Sequence, residues 1–416
     1  MTARRAVRAD EQSGRRVEKV GGIWRVGSLE AARQVLRARH QTTQAGFTAE
    51  FIPQGRMEHR PILISDGPVH DEQRSQVARF LAPAVVEERY GEMIDACADR
   101  LLDAVGVGGE VELHDLALHY TVEVTAEIVG LTHRSAQRGP VARDRAVRAM
   151  SRRLVAFFDQ PPFDLSRKDL GRSGRQWARA AHKGLWPLLT FYLADVRPAI
   201  RERRRNPSND VIGHLASQGW SSTNILVEAV TYGTAGMVTT REFICMAAWH
   251  LMTNPALAQR YVVAGARERL AILAELIRLE PVVGHLYRRT CAEIVITDGG
   301  VSHTIPAGDL VDVSVRDANA DPLAMQDPLE LCPARELPRG VRAAVLSFGD
   351  GAHRCPGETL ALMEADVLLT RLLARNPQML REPSIGWDDL VSGYELRGMA
   401  VVLDQPSRGH PTGTAV

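Results

Sequence analysis

A long apolar segment near the middle of the chain constrains its fold more than any other feature. Apolar residues at helical spacing run from Thr223 to Thr253, with a serine that can cap the start and Asn254-Pro255 at the end. A helix of about thirty residues spans about 45 Å, the width of a domain. A segment this long and apolar is expected to pass through the centre of the molecule.

Helical patterns dominate the remainder of the chain, and strand patterns are few. Apolar residues recur at helical spacing over 72–81, 86–105, 144–158 and 176–205. Strand patterns occur at 20–28, 310–315 and 394–403, and 293–308 predicts a hairpin that turns at 298–300. We therefore predict a mainly α fold with small β-sheets, as one large domain over 21–405. Residues 1–20 are expected to form a mobile arm and 406–416 a tail.

Composition and charge argue against several classes of protein. The formal net charge of +1 gives no electrostatic reason to expect binding to nucleic acid or to a membrane. Residues 1–20 lack the apolar core of a signal peptide. The five cysteines are odd in number and include no C-x-x-C pair, which argues against a disulfide framework and a zinc site. We expect a cytoplasmic protein.

One cysteine has distinctive neighbours. Residues 347–358 read SFGDGAHRCPGE and precede a helical pattern, so the glycines and the proline must turn the backbone tightly. Cys355 comes just before the helix, where the partial positive charge of a helix N-terminus favours thiolate over thiol. On these residues alone, the segment is either a functional thiolate site or a glycine-rich turn around a buried cysteine.

The segment from Phe348 to Gly357 resembles the haem-binding loop of the cytochrome P450 family, F-x-x-G-x-[HR]-x-C-x-G. The resemblance implies the cytochrome P450 fold, with the long central helix over haem b (iron protoporphyrin IX) and Cys355 as the axial thiolate ligand of the iron. It also implies that Phe348 packs at the sulfur side of the haem and that His353 meets a propionate. The glycines implied to lie against the porphyrin are Gly349, Gly351 and Gly357.

A second motif resembles the family's E-x-x-R pair. Glu275 and Arg278 are separated by three positions, which places both side chains on one helix face. A solvated salt bridge is the commoner explanation of such a pair taken alone. In the family the pair is structural and is joined by a later basic residue, for which Arg335 is the candidate.

A third motif lies upstream, where residues 66–74 read DGPVHDEQR and are similar to the family's D-x-P-x-H-x-x-x-R. His70 and Arg74 are four residues apart and share a helix face, which suits a haem propionate. A capped helix with surface charges is the alternative. The resemblance places a third propionate contact at Arg289, with the adjacent Arg288 as the alternative.

The central segment contains AGMVTT, which resembles the family's [AG]-G-x-[DE]-T-[TS]. The resemblance implies that Ala235 lies against the haem and that Gly236 leaves room for dioxygen over the iron. It also implies that the hydroxyls of Thr239 and Thr240 hold water beside the oxygen. Cleaving dioxygen takes two electrons and two protons, and the acid that feeds protons in the family is replaced here by Val238.

Four accounts of proton delivery stay open. Water held by Thr234, Thr239 and Thr240 could carry protons without an acid. Glu242 lies one turn beyond the missing acid and could replace it, although an ion pair with the adjacent Arg241 is the competing fate. The substrate could supply an acidic group or a hydroxyl. The enzyme could instead use hydrogen peroxide, which arrives already reduced and protonated.

The residue that follows the expected iron ligand is also unusual. Pro356 has no backbone N–H, so it removes one of the donors that point at the sulfur in this family. A thiolate with fewer hydrogen bonds donates more strongly to iron, which could offset part of the missing acid. The alternative is that proline fits a tight turn before a helix.

Substrate contacts are expected from five scattered segments, 42–63, 155–180, 231–239, 282–287 and 393–398. They predict an apolar pocket with a few polar groups, formed by Tyr232, Val283, His285, Tyr287 and Tyr394. Any of the aromatic residues, Tyr232 above all, could instead pack in the core.

The resemblance implies a haem-thiolate monooxygenase that by default hydroxylates a small or medium organic molecule. A separate ferredoxin and ferredoxin reductase would supply electrons, and the basic residues that could bind ferredoxin are Arg74, Arg79, Arg354 and Arg371. The alternatives are a peroxide-driven peroxygenase, an oxidative coupling enzyme and, outside the enzymes, a haem-binding sensor.

Overall fold

The structure is a computed structural model that describes residues 4–8, 16–46, 60–131, 139–158, 173–388 and 392–404. The helices in chain order are α1 Leu29–Arg37, α2 Gly67–Leu81, α3 Pro83–Val85, α4 Gly91–Val105, α5 Leu113–Val129, α6 Pro140–Phe158, α7 Gly174–Phe191, α8 Arg197–Arg205, α9 Val211–Ser217, α10 Ser222–Thr253, α11 Pro255–Val263, α12 Ala266–Leu279, α13 Val315–Ala318 and α14 Glu358–Leu373. Shorter turns are the 3-10 helices Ile62–Ile64 and Gly351–His353 and the π-helices Val86–Tyr90 and Tyr192–Val196.

The strands form four small sheets. In chain order they are β1 Val17–Val20, β2 Ile23–Val26, β3 Thr42–Ala45, β4 Glu110–Glu112, β5 His285–Thr290, β6 Ile294–Asp298, β7 Val301–Ile305, β8 Leu310–Ser314, β9 Gln378–Arg381, β10 Ser384–Asp388, β11 Gly393–Arg397 and β12 Ala400–Val402. The largest sheet has the order β1-β2-β8-β5-β3, with β2 and β8 parallel. A second sheet has the order β4-β12-β9, and two hairpins pair β6 with β7 and β10 with β11.

The predicted central helix is confirmed as α10, a single helix of 32 residues. The Ser221 side chain caps its start by accepting the Asn224 N–H, and Asn254 follows its last residue. Every residue from Thr240 to Leu251 is buried, as expected of a helix that passes through the core. No helix in the described ranges has the length and apolar content needed to cross a membrane.

Two strand predictions are wrong in detail. The segment 20–28 is not one strand, because Gly21 and Gly22 adopt positive φ and turn the chain between β1 and β2. The segment 394–403 is divided between β11 and β12, which belong to different sheets. The predicted hairpin is confirmed: β6 and β7 pair in antiparallel register on either side of Gly299 and Gly300.

The structure describes two parts of the segment predicted to form a mobile arm, residues 4–8 and 16–20. Residues 4–8 lie against the main body, and Ala6 is only 1% exposed. The Arg4 Nε donates to the Leu279 carbonyl at 2.7 Å, and the Ala6 N–H donates to the Glu280 carboxylate at 3.1 Å. These bonds attach the segment to the end of α12.

A buried ion-pair network holds the chain that follows α13. Arg278, which is fully buried, donates through Nε and Nη2 to the two carboxylate oxygens of Glu275 at 2.6 and 2.8 Å. Arg335 Nε donates to Glu275 Oε1 at 3.1 Å, and Arg278 Nη1 donates to the carbonyls of Asn319 and Pro328 at 2.7 and 2.8 Å. The pair therefore joins α12 to the irregular segment that leads to the cysteine loop.

We expect Glu275→Gln to lower the free energy of unfolding by about 3–5 kcal/mol, because it leaves the buried Arg278 charge without a counter-ion. Glu268→Gln is the matched control: it lies on the same helix and breaks an exposed ion pair with Arg260, which is worth about 0–1 kcal/mol. Urea unfolding of the two variants measures the difference. Equal losses of stability would contradict the structural role of the buried pair.

Candidate functional site

The cysteine loop is fixed by backbone contacts before α14 begins. The Cys355 N–H donates to the Phe348 carbonyl at 2.8 Å, and Phe348 itself packs against the core cluster that includes residues of α10. Gly349 adopts φ +71°, a conformation that other residues rarely adopt. The loop therefore presents the sulfur from a rigid turn at the start of a helix.

Gly351 serves a different purpose from the one implied by the resemblance. A Cβ atom on Gly351 would lie 2.3 Å from the Leu36 carbonyl oxygen at the end of α1. Its absent side chain thus allows the loop to pack on α1, which corrects the prediction that it lets the backbone approach the porphyrin. A Cβ on Gly357 would lie 3.8 Å from the Cys355 sulfur, an ordinary contact distance.

The Cys355 side chain is half-buried just before α14. Burial raises the pKa of the thiol, whereas a hydrogen bond from the Gly357 N–H and the charges of Arg74 and Arg354 lower it; the net shift is upward. A buried thiol of this kind becomes a thiolate when it binds a metal cation. Pro356 provides no N–H, and Gly357 is the backbone donor that acts on the sulfur.

A basic cluster lies beside the loop. The rings of His70 and His353 are 4.1 Å apart, and His353 Nε2 is 3.1 Å from Asp66 Oδ1. Arg288 is 3% exposed, and burial lowers its pKa to about 10 while Asp66 raises it. Burial and the neighbouring His353 lower the pKa of His70 to about 4, so this ring is neutral at pH 7.

The donors of this cluster exceed its acceptors. Within the described ranges, His70 Nε2 is buried without a hydrogen-bond partner, and Asp66 is the acid that acts on Arg288. Buried polar groups in folded proteins are normally paired. The cluster therefore fits an anionic ligand such as a carboxylate, which is the group that haem propionates would present.

Of the two arginines considered for a propionate contact, Arg289 and the alternative Arg288, the structure places Arg288 in the basic cluster. Successive side chains of β5 point to opposite faces of the sheet. Arg289 Nη1 donates to the Gly308 carbonyl at the exposed side, whereas Arg288 points into the buried space with His70 and His353. The two positions differ by one residue, which is enough to reverse the face.

Arg74 connects the loop with the central helix. Its guanidinium donates to the Arg354 carbonyl, and its charge acts on both the Cys355 sulfur and the Tyr232 hydroxyl. Tyr232 belongs to α10. The cysteine loop and the first half of α10 therefore face the same space, as a cofactor held between them would require.

The α10 side of this space has an open position at Ala235 and Thr239, which we call the groove. Ala235 is exposed and Thr239 half-buried, although the helix that continues from Thr240 is buried on all sides. The Thr239 hydroxyl donates to the Ala235 carbonyl at 2.6 Å. Thr240 is 4% exposed and lies on the core side, so of the two threonines predicted to hold water only Thr239 faces the groove.

Gly236 faces a neighbouring helix instead of the groove. A Cβ atom at this position would lie 3.1 Å from Thr125 Oγ1 and 3.4 Å from Thr125 Cγ2 of α5. The glycine therefore allows α5 to approach α10 closely, which corrects the prediction that it leaves room for dioxygen. Val238 is 5% exposed and is also packed in the interior.

Glu242 is not available as a displaced acid. It is 1% exposed and forms ion pairs with Arg241 and, at 2.7 Å, with Arg397 Nη1. Its Oε2 accepts the Leu396 N–H at 2.7 Å. Two cations and a backbone donor bind its oxygens, so the ion-pair alternative from the sequence is the one observed.

The predicted pocket residues divide into two groups. Val283, His285 and Tyr287 are half-buried along one edge of β5, where His285 Nδ1 is 2.8 Å from Asp312 Oδ1. Tyr394 is 1% exposed and bonds to the Glu280 carbonyl at 3.3 Å. It is a core residue, which corrects its assignment to the pocket. The parts of the predicted substrate segments at 47–59 and 159–172 lie outside the described residues.

Comparison with known proteins identifies the class. The sequence model described as Cytochrome P450 matches residues 270–376. The chain is 26% identical over 405 residues to the cytochrome P450 monooxygenase PikC of Streptomyces venezuelae, covering 94% of this chain and 87% of that protein. It is 28% identical over 339 residues to the vitamin D(3) 25-hydroxylase of Pseudonocardia autotrophica, covering 79% and 73% of the two.

Solved structures share the fold. CYP164A2 of Mycobacterium smegmatis in its ligand-free state has a TM-score of 0.72 at 25% identity, covering 92% of this chain and 91% of that one. A mutant of P450 EryK in complex with erythromycin B has a TM-score of 0.74 at 24% identity, covering 96% and 95%.

A cysteine loop and a grooved central helix that face one space beside a basic cluster define a haem-thiolate monooxygenase. The chain belongs to the cytochrome P450 family, and its cofactor is haem.

The contact between Gly236 and Thr125 makes a prediction about stability. Alanine is preferred over glycine inside a helix by about 1 kcal/mol, but here its methyl group would press on Thr125. We expect Gly236→Ala to be less favourable by about 1 kcal/mol in the native sequence than in a Thr125→Ala background. Gly233→Ala is the control, because a Cβ there meets only flexible side-chain ends at 3.7 Å. Additive effects in a chemical unfolding cycle would contradict the close packing.

Proposed function

We propose that this cytochrome P450 activates dioxygen with electrons from a separate ferredoxin and its reductase, and hydroxylates a small or medium organic molecule. The observation that carries the proposal is the groove at Ala235 and Thr239, which lies just before the fully buried half of the central helix. A haem-binding sensor has no need of such a groove. The PikC and vitamin D(3) 25-hydroxylase relatives are named as oxidising enzymes, which supports the same activity here.

The residues of the site have separate tasks in this proposal. Cys355 holds the iron, and Arg74, His70, His353 and Arg288 receive the propionates. Haem ligated by a thiolate supplies the redox chemistry that cleaves dioxygen. The protein contributes position and proton supply: Thr239, bonded to the Ala235 carbonyl, can hold a water molecule at the groove by accepting a hydrogen bond from it.

The substrate pocket is proposed to include the groove on α10 and Val283, which precedes β5. The rings of His285 and Tyr287 are stacked, with centroids 6.1 Å apart, and they lie on the face of β5 opposite that of Arg288. The open position on α10 favours an apolar substrate with few polar groups.

Of the basic residues proposed to bind ferredoxin, Arg79 is the best placed. It is exposed on α2 and near His214. Arg74 points into the site, and Arg371 is engaged by Asp95 and Asp99 at 2.9 Å. Exposed arginines steer acidic partners by long-range attraction that weakens with added salt.

The activity is tested by comparing turnover with a ferredoxin system and with hydrogen peroxide alone. We expect product with the ferredoxin system and consumption of dioxygen in step with it. Peroxide-only turnover would favour the peroxygenase alternative, and no product under either condition would favour a sensor.

Cys355→Ser should abolish the thiolate-type spectrum of the reduced carbon monoxide complex. Cys332→Ser, at an exposed cysteine, should leave it unchanged.

Pro356 is proposed to strengthen electron donation from the sulfur, since Gly357 is the backbone donor that acts on it. Pro356→Leu adds an N–H beside Cys355, and we expect the haem reduction potential to rise because the added donor stabilises negative charge on the sulfur. Pro333→Leu is the control, since Pro333 follows the exposed Cys332 in the same Cys-Pro order. Equal potentials for the native protein and the Pro356→Leu variant would mean that the proline serves only the turn.

A further inference from the structure

The first half of α10 carries a buried acid that the sequence motifs do not include. Glu228 is 3% exposed. Its Oε1 accepts the Ile62 N–H at 3.2 Å and the Gln73 side-chain amide at 3.3 Å. Its other oxygen is buried without a well-aligned hydrogen bond from the described residues. Two neutral donors therefore hold the carboxyl group through one of its oxygens.

Tyr232 lies one turn further along and next to this acid. Its hydroxyl is buried and interacts with the Glu228 carboxyl. On its other side is Arg74, whose charge acts on both Tyr232 and the Cys355 sulfur. Tyr232 thus stands between the buried acid and the space that faces the cysteine, which assigns it a polar role and not only the packing role considered from the sequence.

The spacing along α10 places these groups on one face. Glu228, Tyr232, Ala235 and Thr239 are separated by four, three and four residues, the intervals that bring side chains together on a helix. The stripe is about 16 Å long at 1.5 Å per residue. The stripe begins at Glu228 and ends at the groove, so it connects the acid with the groove along one face of the helix.

The other candidate on this helix is excluded by its contacts. Glu228 and Glu242 are the two acids of α10, and Glu242 is held by Arg241 and Arg397. Burial raises the pKa of Glu228 to about 7, while the Ile62 N–H and Tyr232 lower it. An acid with its pKa near the ambient pH is best suited to proton transfer.

We propose that Glu228 and Tyr232 deliver protons along this face of α10 to the groove at Ala235 and Thr239, replacing the acid missing at Val238. This proposal rests on the proposed use of dioxygen. The carboxylic acid gives its proton to Tyr232, whose hydroxyl passes a proton to water that leads to Thr239. Solvent then returns a proton to the Glu228 carboxylate. Two such cycles supply the two protons that each dioxygen requires, and the relay ends in its initial state.

Arg74 assists the middle step. A positive charge beside Tyr232 opposes the effect of burial, which raises the pKa of the phenol well above its usual value. Among the residues that the structure describes, the groups that contact the Glu228 carboxyl are Tyr232 on its own helix, Gln73 of α2 and the backbone at Ile62. Since Gln73 and Ile62 carry no charge, Tyr232 is the titratable neighbour through which a proton can leave toward the site.

The test uses the haem-loaded enzyme with the variants Glu228→Gln and Tyr232→Phe. With the ferredoxin system, we expect product formed per electron consumed to fall about tenfold or more in both variants, because the positioned acid or its relay is lost. Turnover with hydrogen peroxide should change little, since peroxide brings its own protons.

In the native enzyme, product formed per electron consumed should decrease as pH rises through about 7, because Glu228 loses its proton. In the Glu228→Gln variant this ratio should not depend on pH.

An independent readout does not depend on turnover. Infrared spectra of the native protein should show a buried carboxylic acid band that disappears as pH rises through about 7 and is missing from Glu228→Gln. Glu364→Gln is the matched control: burial raises the pKa of Glu364 as well, but it lies on α14, outside the stripe.

A rescue variant tests the same idea by turnover. Val238→Asp in the Glu228→Gln background should restore product formed per electron consumed, because it places an acid where other members of the family have one.

The outcomes separate this proposal from the proposed function. Native turnover with ferredoxin, together with unchanged coupling in Glu228→Gln, would overturn the relay and leave the monooxygenase intact. Equal losses with ferredoxin and peroxide in Glu228→Gln, with Glu228→Asp no better, would also overturn it, because they indicate a structural role. No native turnover with ferredoxin would refute the proposed function itself, and the relay with it.

Discussion

The structure depends on one constraint: helix α10 must be buried in the core along one part of its length and must line the functional site along another part. From Thr240 onward every residue to Leu251 is buried, whereas Ala235, one turn earlier, is exposed. Such a helix cannot be amphipathic along its whole length. Its position is instead set by neighbours that approach closely, and Gly236 against Thr125 of α5 is one such contact.

Two groups of buried charges show the difference between structure and binding. Arg278 is fully satisfied by Glu275 and by backbone carbonyls. Arg288 and His70 are not, since Asp66 is the acid that acts on Arg288 and His70 Nε2 has no partner in the described part of the chain. A buried charge is costly unless it is paired. Arg278 with its partners therefore stabilises the fold, whereas the cluster of Arg288 and His70 is suited to bind an anion.

Local spacing allowed much of the fold and part of the site to be predicted. The Glu275–Arg278 pair and the loop around Cys355 depend on neighbours in sequence, and the length of its apolar pattern predicts α10. The roles of Gly236 and Gly351 could not be predicted, because each depends on a residue of a distant element, Thr125 and Leu36. Helix α5 was also missed, since it is buried almost all round and has no polar face to mark its period.

The choice between Arg288 and Arg289 shows a general limit. Side chains alternate along a strand, so a one-residue uncertainty reverses the face on which a charge lies. The pairing of β5 with β3 and β8 sets Arg288 opposite Gln44 and Val311, and these partners are distant in sequence. Tyr394 illustrates the same limit, because the sequence shows an aromatic residue in a strand but not which side of the strand meets the core.

The position of Glu228 shows why an acid can be moved along a helix and still serve the same site. Val238 is buried, and Glu242, the other acid of α10, is held by two arginines. At Glu228 the neighbours are neutral donors, the Ile62 N–H and the Gln73 amide. They stabilise the carboxylate less than a cation would, so burial keeps the pKa near 7 and the proton exchangeable. Glu228 is farther from the groove than position 238 is. The regular spacing of α10 spans this distance, because it keeps Glu228, Tyr232, Ala235 and Thr239 on one face of the helix.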